Sequence, residues 1–210
     1  MGIKRLKSYH LNLSNTKFYL MKTFQLEGSL REALGKKATK VVRKEESIPC
    51  VLYGMGENIH FLVTASAVRK LVYSPDIFGV ELTVDGKMHN AVVKDLQFHP
   101  VSDKVLHLDF LEVNTTKPIV MEVPVKLEGL AEGVKAGGKL TQEMRKLKVK
   151  ATYDKIPEVL TIDVTALELG KTIQVGALSF EGLEVLSAAM NVVASVRLTR
   201  AAKGAAAKAK

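Results

Sequence analysis

The chain has 210 residues, 47% of them hydrophobic and 25% charged, with a net charge of +9 and a single cysteine. That is enough apolar material for one large or two ordinary domains, which excludes wholesale disorder, and one cysteine excludes an intrachain disulfide framework. No run approaches the roughly 20 apolar residues of a membrane-spanning helix, so no membrane partner is expected.

The charge is unevenly placed. Residues 1–20 carry four basic groups and no acidic ones, and they lack the apolar core of a secretory signal. This stretch reads as a disordered basic leader, with the folded part beginning at Met21. Residues 21–114 carry twelve basic and twelve acidic groups. Yet Arg31, Lys36, Lys37, Lys40, Arg43 and Lys44 crowd into fourteen residues, opposed only by Glu32. Clustered Lys and Arg bind phosphate backbones, whereas most catalytic chemistry needs carboxylates, thiols or histidines. Arg31 and Lys36 are read as phosphate grips, with Gly35 allowing close backbone approach. The bland alternative is a solvated loop whose charges touch nothing.

Taken in chain order, period-2 patterns dominate. Phe24 and Leu26 alternate with Gln25 and Glu27. The basic segment, a loop or short helix, is followed by an apolar strand at Cys50–Leu52 closed by Tyr53. Cys50 reads as a small core residue, and Tyr53 as either a core edge or a stacking platform. One helix is expected, with Thr64 or Ser66 as cap, Val68, Leu71 and Val72 on one face, and Ser74-Pro75 as the stop. Val80, Leu82 and Val84 alternate with Glu81 and Thr83, and Asp85-Gly86 then reads as a hairpin turn. Leu106, Leu108 and Phe110 alternate with His107 and Asp109, so the imidazole and the carboxylate should point outward together. Such a pair suits 2′-hydroxyls and base edges, or else is an ordinary surface pair.

Asn114–Pro118 looks like a domain boundary, too poor in apolar residues to bury much. A fragment of residues 21–114 is therefore expected to fold alone. Beyond it, Ile119, Met121, Val123, Val125 and Leu127 share a face, and Leu147, Val149 and Ala151 oppose Lys146, Lys148 and Lys150. Leu160, Ile162 and Val164 follow, then Val192, Ala194, Val196 and Leu198. Residues 115–200 thus read as an antiparallel sandwich or open barrel. Residues 201–210 are a low-complexity Ala/Lys tail, expected to be disordered.

No catalytic set emerges. There is no HExxH or paired-cysteine metal spacing and no GxSxG elbow, and Gly54-Met-Gly56 lacks the third glycine of a dinucleotide fingerprint. No metal, cofactor or small-molecule substrate is expected.

The ordered combination Arg31-Glu-x-x-Gly35-Lys36, Pro49-x-Val51-Leu52-Tyr53-Gly54, Gln97-Phe-His99-Pro100 and His107-Leu-Asp109-Phe110 resembles bacterial large-subunit ribosomal protein twenty-five. The match is to its long form, the general stress protein Ctc family, and covers about residues 21–200. The resemblance implies a cytoplasmic, ribosomal, non-enzymatic protein: a small β-barrel with short helices, then a second β-rich domain. It implies binding of 5S rRNA at the loop E region, with other large-subunit components as partners. Matching positions place RNA contacts on Arg31, Lys36, Arg43, Tyr53, Gln97, His107 and Asp109. The chain departs from the family's pattern at Lys37, where glycine is common, and at Lys40-Val41, where an Arg pair is common. A rival reading is a stress-induced interaction protein whose main ligand is another protein. Steep weakening of binding by salt separates the two.

Overall fold

The computed structural model describes residues 21–114 and 116–199. The leader at residues 1–20 and the tail at 201–210 lie outside the described residues.

The first half is a closed six-stranded barrel. Its strands are β1 (Lys22–Leu30), β2 (Ser47–Tyr53), β3 (Ile59–Thr64), β4 (Phe78–Val84), β5 (Lys87–Phe98) and β6 (Val105–Glu112). They run in the order β1-β3-β2-β6-β5-β4, and β1 closes onto β4. The alternation read from the sequence fills the interior. Leu26, Cys50, Leu52, Leu82, Leu108 and Phe110 are all buried, joined by Phe61 of β3, a strand the alternation had not marked, with the Phe61 and Phe110 rings 5.6 Å apart. Cys50 is a core residue, and burial pushes its thiol pKa far up, so it is chemically inert in the fold. The Asp85-Gly86 turn is as expected: both residues have positive φ (50° and 75°), and Val84 pairs with Lys87.

Two short helices decorate the barrel. Helix α1 (Lys36–Lys44) settles the basic segment as a helix. Gly35 precedes it at φ 105°, a conformation that disfavours any residue with a Cβ. Helix α2 (Arg69–Tyr73) has Val68 at its N-cap and no side-chain cap bond, so neither Thr64 nor Ser66 caps it. It ends at Ser74, extended ahead of Pro75 as expected.

The second half comprises β7 (Pro118–Glu128), α3 (Glu132–Lys135), β8 (Lys139–Gln142), β9 (Lys146–Thr152), β10 (Leu160–Asp163), β11 (Thr172–Gln174), β12 (Glu184–Val185) and β13 (Val192–Arg197). They form a four-stranded sheet, β10-β7-β9-β12, and a three-stranded sheet, β11-β13-β8. The arrangement is sandwich-like but not purely antiparallel, because β10 pairs with β7 in parallel. Leu147, Val149 and Ala151 of β9 are buried. Its outward Lys148 and Lys150 lie 3.6 and 3.1 Å from Glu122 and Glu184, a solvated face of cross-strand pairs. β13 departs from the single face expected for it. Val193, Ala194, Ser195 and Val196 are all buried, because Val193 faces the larger core while Ala194 and Val196 join Ala131, Val164 and Leu167 in a second one.

The halves share more than the linker suggests. Met21, Val92 and Val113 pack into the same cluster as Val123, Leu147, Val149 and Leu160. Lys22 bonds Glu158, and Lys94 Nζ donates to the Val120 carbonyl at 2.9 Å. Val92 points away from the barrel axis and is nonetheless fully buried, because the second half covers it. A fragment of residues 21–114 should keep its closed barrel but melt below the full chain. Uncovering Val92 alone forfeits roughly 1.5–3 kcal/mol. Equal melting temperatures for fragment and full chain, followed by circular dichroism, would show that the shared cluster adds nothing.

Candidate nucleic-acid interface

The site is built on the outward face of three neighbouring strands. β6 lies between β2 and β5, with Val51 in register with Asp109, Asp109 with Asp95, and His107 with Gln97. Leu108 and Phe110 point inward, so His107 and Asp109 point out together, as their spacing requires. Their side chains meet: His107 Nδ1 and Asp109 Oδ1 are 2.7 Å apart, each residue about a quarter exposed. The half-buried Tyr53 stands beside them. Burial raises its pKa first, then the charges of Asp109 and Asp95, so the phenol stays protonated and able to donate. Tyr53, Gln97, His107 and Asp109, four of the seven expected residues, thus share one face.

Asp95 is the residue the sequence reading missed. Val92-Val93-Lys94-Asp95 breaks period-2 alternation, and the structure shows why. A bulge between Val93 and Asp95 leaves Lys94 outside the register, which turns Asp95 onto the face of Asp109. The broken alternation was the available signal.

The three basic residues sit on or beside α1. Arg43 reaches across to β6, where its Nε and one terminal nitrogen donate to the Leu106 carbonyl at 3.1 and 2.8 Å. Leu106 immediately precedes His107, so this fork seats the helix next to the polar face. Arg31 Nε donates to the Ala33 carbonyl at 2.9 Å, and a terminal nitrogen donates to Thr39 Oγ1 at 2.7 Å. Thr39 in turn donates to the Gly35 carbonyl at 2.8 Å. Arg31 and Arg43 are therefore ties that hold the helix, with guanidinium donors left over. Lys36 is exposed at the first helical position. Lys36, Lys40 and Lys44 recur every four residues, about 6 Å of rise apart, and share a shallow concavity with Thr39 and Arg43.

Helix α1 buries none of its nine residues, and its first turn carries Lys36 and Lys37 with no acidic residue. Cations at that end oppose the helix dipole, and a short helix without an apolar anchor is marginal in water. An anion against this surface would relieve both problems.

Among the described residues, no group of three or more His, Cys, Asp or Glu residues could hold a metal, and no helix is long and apolar enough to cross a membrane.

Comparison with known proteins gives a consistent answer for both halves. Residues 26–110 match the Ribosomal L25p family, and residues 118–200 match the ribosomal protein TL5 C-terminal domain. The chain is 62% identical over 190 residues to the large ribosomal subunit protein bL25 of Porphyromonas gingivalis, covering 90% of this chain and 99% of that one. It is 62% identical over 193 residues to the bL25 of Parabacteroides distasonis, covering 90% and 100%. It is 57% identical to that of Bacteroides thetaiotaomicron, covering 90% and 99%. The barrel, the second β-rich half and these matches together mean that the chain belongs to the bL25 family of bacterial large-subunit ribosomal proteins, in its long form.

Proposed function

We propose that the protein binds 5S rRNA, at the loop E region, through helix α1 and the polar face of β2, β6 and β5. Family membership carries the coarser statement: a structural constituent of the large subunit of the cytoplasmic ribosome, without catalysis. The finer reading rests above all on the His107–Asp109 pair, joined at 2.7 Å beside Tyr53 and flanked by a helix of cations.

The two surfaces divide the work. Lysines of α1 lie along phosphates and set position, while the sheet face offers acceptors. Carboxylates need donors, and the wide, shallow minor groove of an RNA helix presents 2′-hydroxyls and guanine amino groups. Asp109 accepts from such donors and holds the His107 ring in place. Tyr53 and Gln97 supply donors on either side. Because every one of these residues lies within residues 21–114, the barrel fragment should bind RNA by itself.

Chemical footprinting and titration of the full chain on 5S rRNA test this reading. Protection confined to one internal region, with affinity falling steeply as salt rises, is the expected result. No protection, or binding insensitive to salt, would favour a protein as the main ligand.

A further inference from the structure

A second surface lies at the far end of the β5–β6 hairpin, and nothing above uses it. Tyr73, the last residue of α2, and Phe98, the last of β5, are 58% and 41% exposed. Their ring centroids are 6.2 Å apart at a tilt of 55°. Val101 at the hairpin tip is 87% exposed, so the tip protrudes. Single exposed apolar residues are ordinary, but aromatic rings normally bury most of their area, and two in contact beside an exposed tip mark a contact surface.

The cluster is rigid. Tyr73 Oη donates to the Asp103 carbonyl at 2.9 Å, pinning the tip to α2. His99 N donates to the Lys104 carbonyl at 2.8 Å, and Asp103 N to the His99 carbonyl at 3.0 Å. The amides of Val101 and Ser102 both donate to His99 Nδ1 at 3.3 Å. The rings are presented on a closed turn, so little ordering is lost when something lands on them.

The surroundings are net basic, with Asp103 the one acidic residue of the tip. Arg69 lies four residues before Tyr73 on α2, on the same side of the helix, with Lys70 next to it and Lys104 at the hairpin. All three are exposed, and among the described residues none is engaged in a side-chain hydrogen bond or ion pair. Flat rings flanked by free cations on a protruding surface match a nucleobase and its phosphates. An acidic peptide would satisfy the cations, but an apolar one would want a groove, and this surface protrudes. Phe98 follows Gln97 of the proposed RNA face in β5, with a register shift between them, so the rings stand at the end of the same hairpin and turn toward α2 rather than onto that face.

We propose that Tyr73 and Phe98 stack an unpaired rRNA nucleotide at the barrel end, beyond the segment held by the His107 face, with Arg69, Lys70 and Lys104 on the flanking phosphates. This rests on the rRNA-binding reading above and extends it to a second contact. The experiment uses the full chain and a 5S rRNA transcript, titrated at several salt concentrations. Stacking is insensitive to salt, so Tyr73→Leu/Phe98→Leu should raise Kd roughly tenfold at every salt with the slope of log K against log salt unchanged. Tyr73→Phe keeps the ring and removes only the hydroxyl bond to Asp103, so it should lose much less than the double variant. Wild-type affinity in the folded double variant overturns the inference and leaves the patch to a protein partner. An equal loss in Tyr73→Phe, or a changed salt slope, also overturns it, because tip position or phosphate contacts would then be responsible. If the double variant does not fold, short-wavelength ultraviolet crosslinking of the wild-type complex decides. A nucleotide attached to Tyr73 or Phe98 supports stacking, and crosslinks through Tyr53 alone refute it. Failure of the wild-type chain to bind 5S rRNA at all removes the underlying reading, and this one with it; normal wild-type binding keeps the two outcomes separate.

Discussion

Asp109→Asn should weaken binding to 5S rRNA by on the order of 1–3 kcal/mol, the cost of a good polar contact left poorly paired. Bulk electrostatics predicts the opposite sign, since deleting a negative charge from an anion-binding surface ought to help. The structure gives the reason to expect a loss. Asp109 Oδ1 lies 2.7 Å from His107 Nδ1, and Asp95 sits directly across the ladder. Two carboxylates on one face offer charged acceptors, which the proposed 2′-hydroxyl and amino donors would use. An amide keeps the shape but replaces one charged acceptor by a neutral donor, so contacts to 2′-hydroxyls and amino groups weaken. The variant should remain folded, because Asp109 points away from the Leu108 and Phe110 core. Titration at several salt concentrations, with a melting curve for each protein, checks this. Unchanged or tighter binding by folded Asp109→Asn would leave only a general basic patch.

Arg43→Lys should lose about tenfold in RNA affinity although the charge is retained. Arg43 places two N–H groups on the Leu106 carbonyl, and a lysine ammonium cannot reproduce that fork. Helix α1 buries none of its residues, so its position beside His107 depends on this fork and on the bond from Arg31 to Thr39. Loosening it misplaces the whole lysine row. Amide hydrogen exchange across α1 should accelerate in Arg43→Lys. Lys40→Ala serves as the contrast. It should leave exchange unchanged and lower the salt slope by about one, the mark of a lost phosphate contact. If Arg43→Lys binds as the wild type does and only Arg43→Ala is weakened, then charge, and not helix placement, is what Arg43 supplies.

Much of this site was legible in local sequence because strands have a period of two. His107 and Asp109 had to share a face once Leu106, Leu108 and Phe110 were recognised as apolar alternates, and the Asp85-Gly86 turn followed from its chemistry. The basic segment was legible as a cluster of charge but not as two kinds of residue. Arg31 looked like a phosphate grip equal to Lys36 and Arg43 like one more cation of the run, and only the fold showed them bonded to Thr39 and Leu106. Arg43 and Leu106 are 63 positions apart, and no local pattern encodes a partner at that separation.

The sequence by itself determined the β-rich class, much of the barrel interior and the outward pairing of His107 with Asp109. Each follows from burying one side of an alternating strand. Tertiary structure alone decided the rest. A bulge at Lys94 turned Asp95 onto the face of Asp109, against simple alternation. The parallel pairing of β10 with β7 sets Leu160 beside Val125, a distant partner that local alternation does not mark. Val92 became buried only because the second half packs over the outside of the barrel, together with Met21 and Val113. Periodicity records which side of a strand is apolar. It does not record which distant segment arrives to cover that side, because chain segments far apart in sequence meet through the summed packing of the whole molecule.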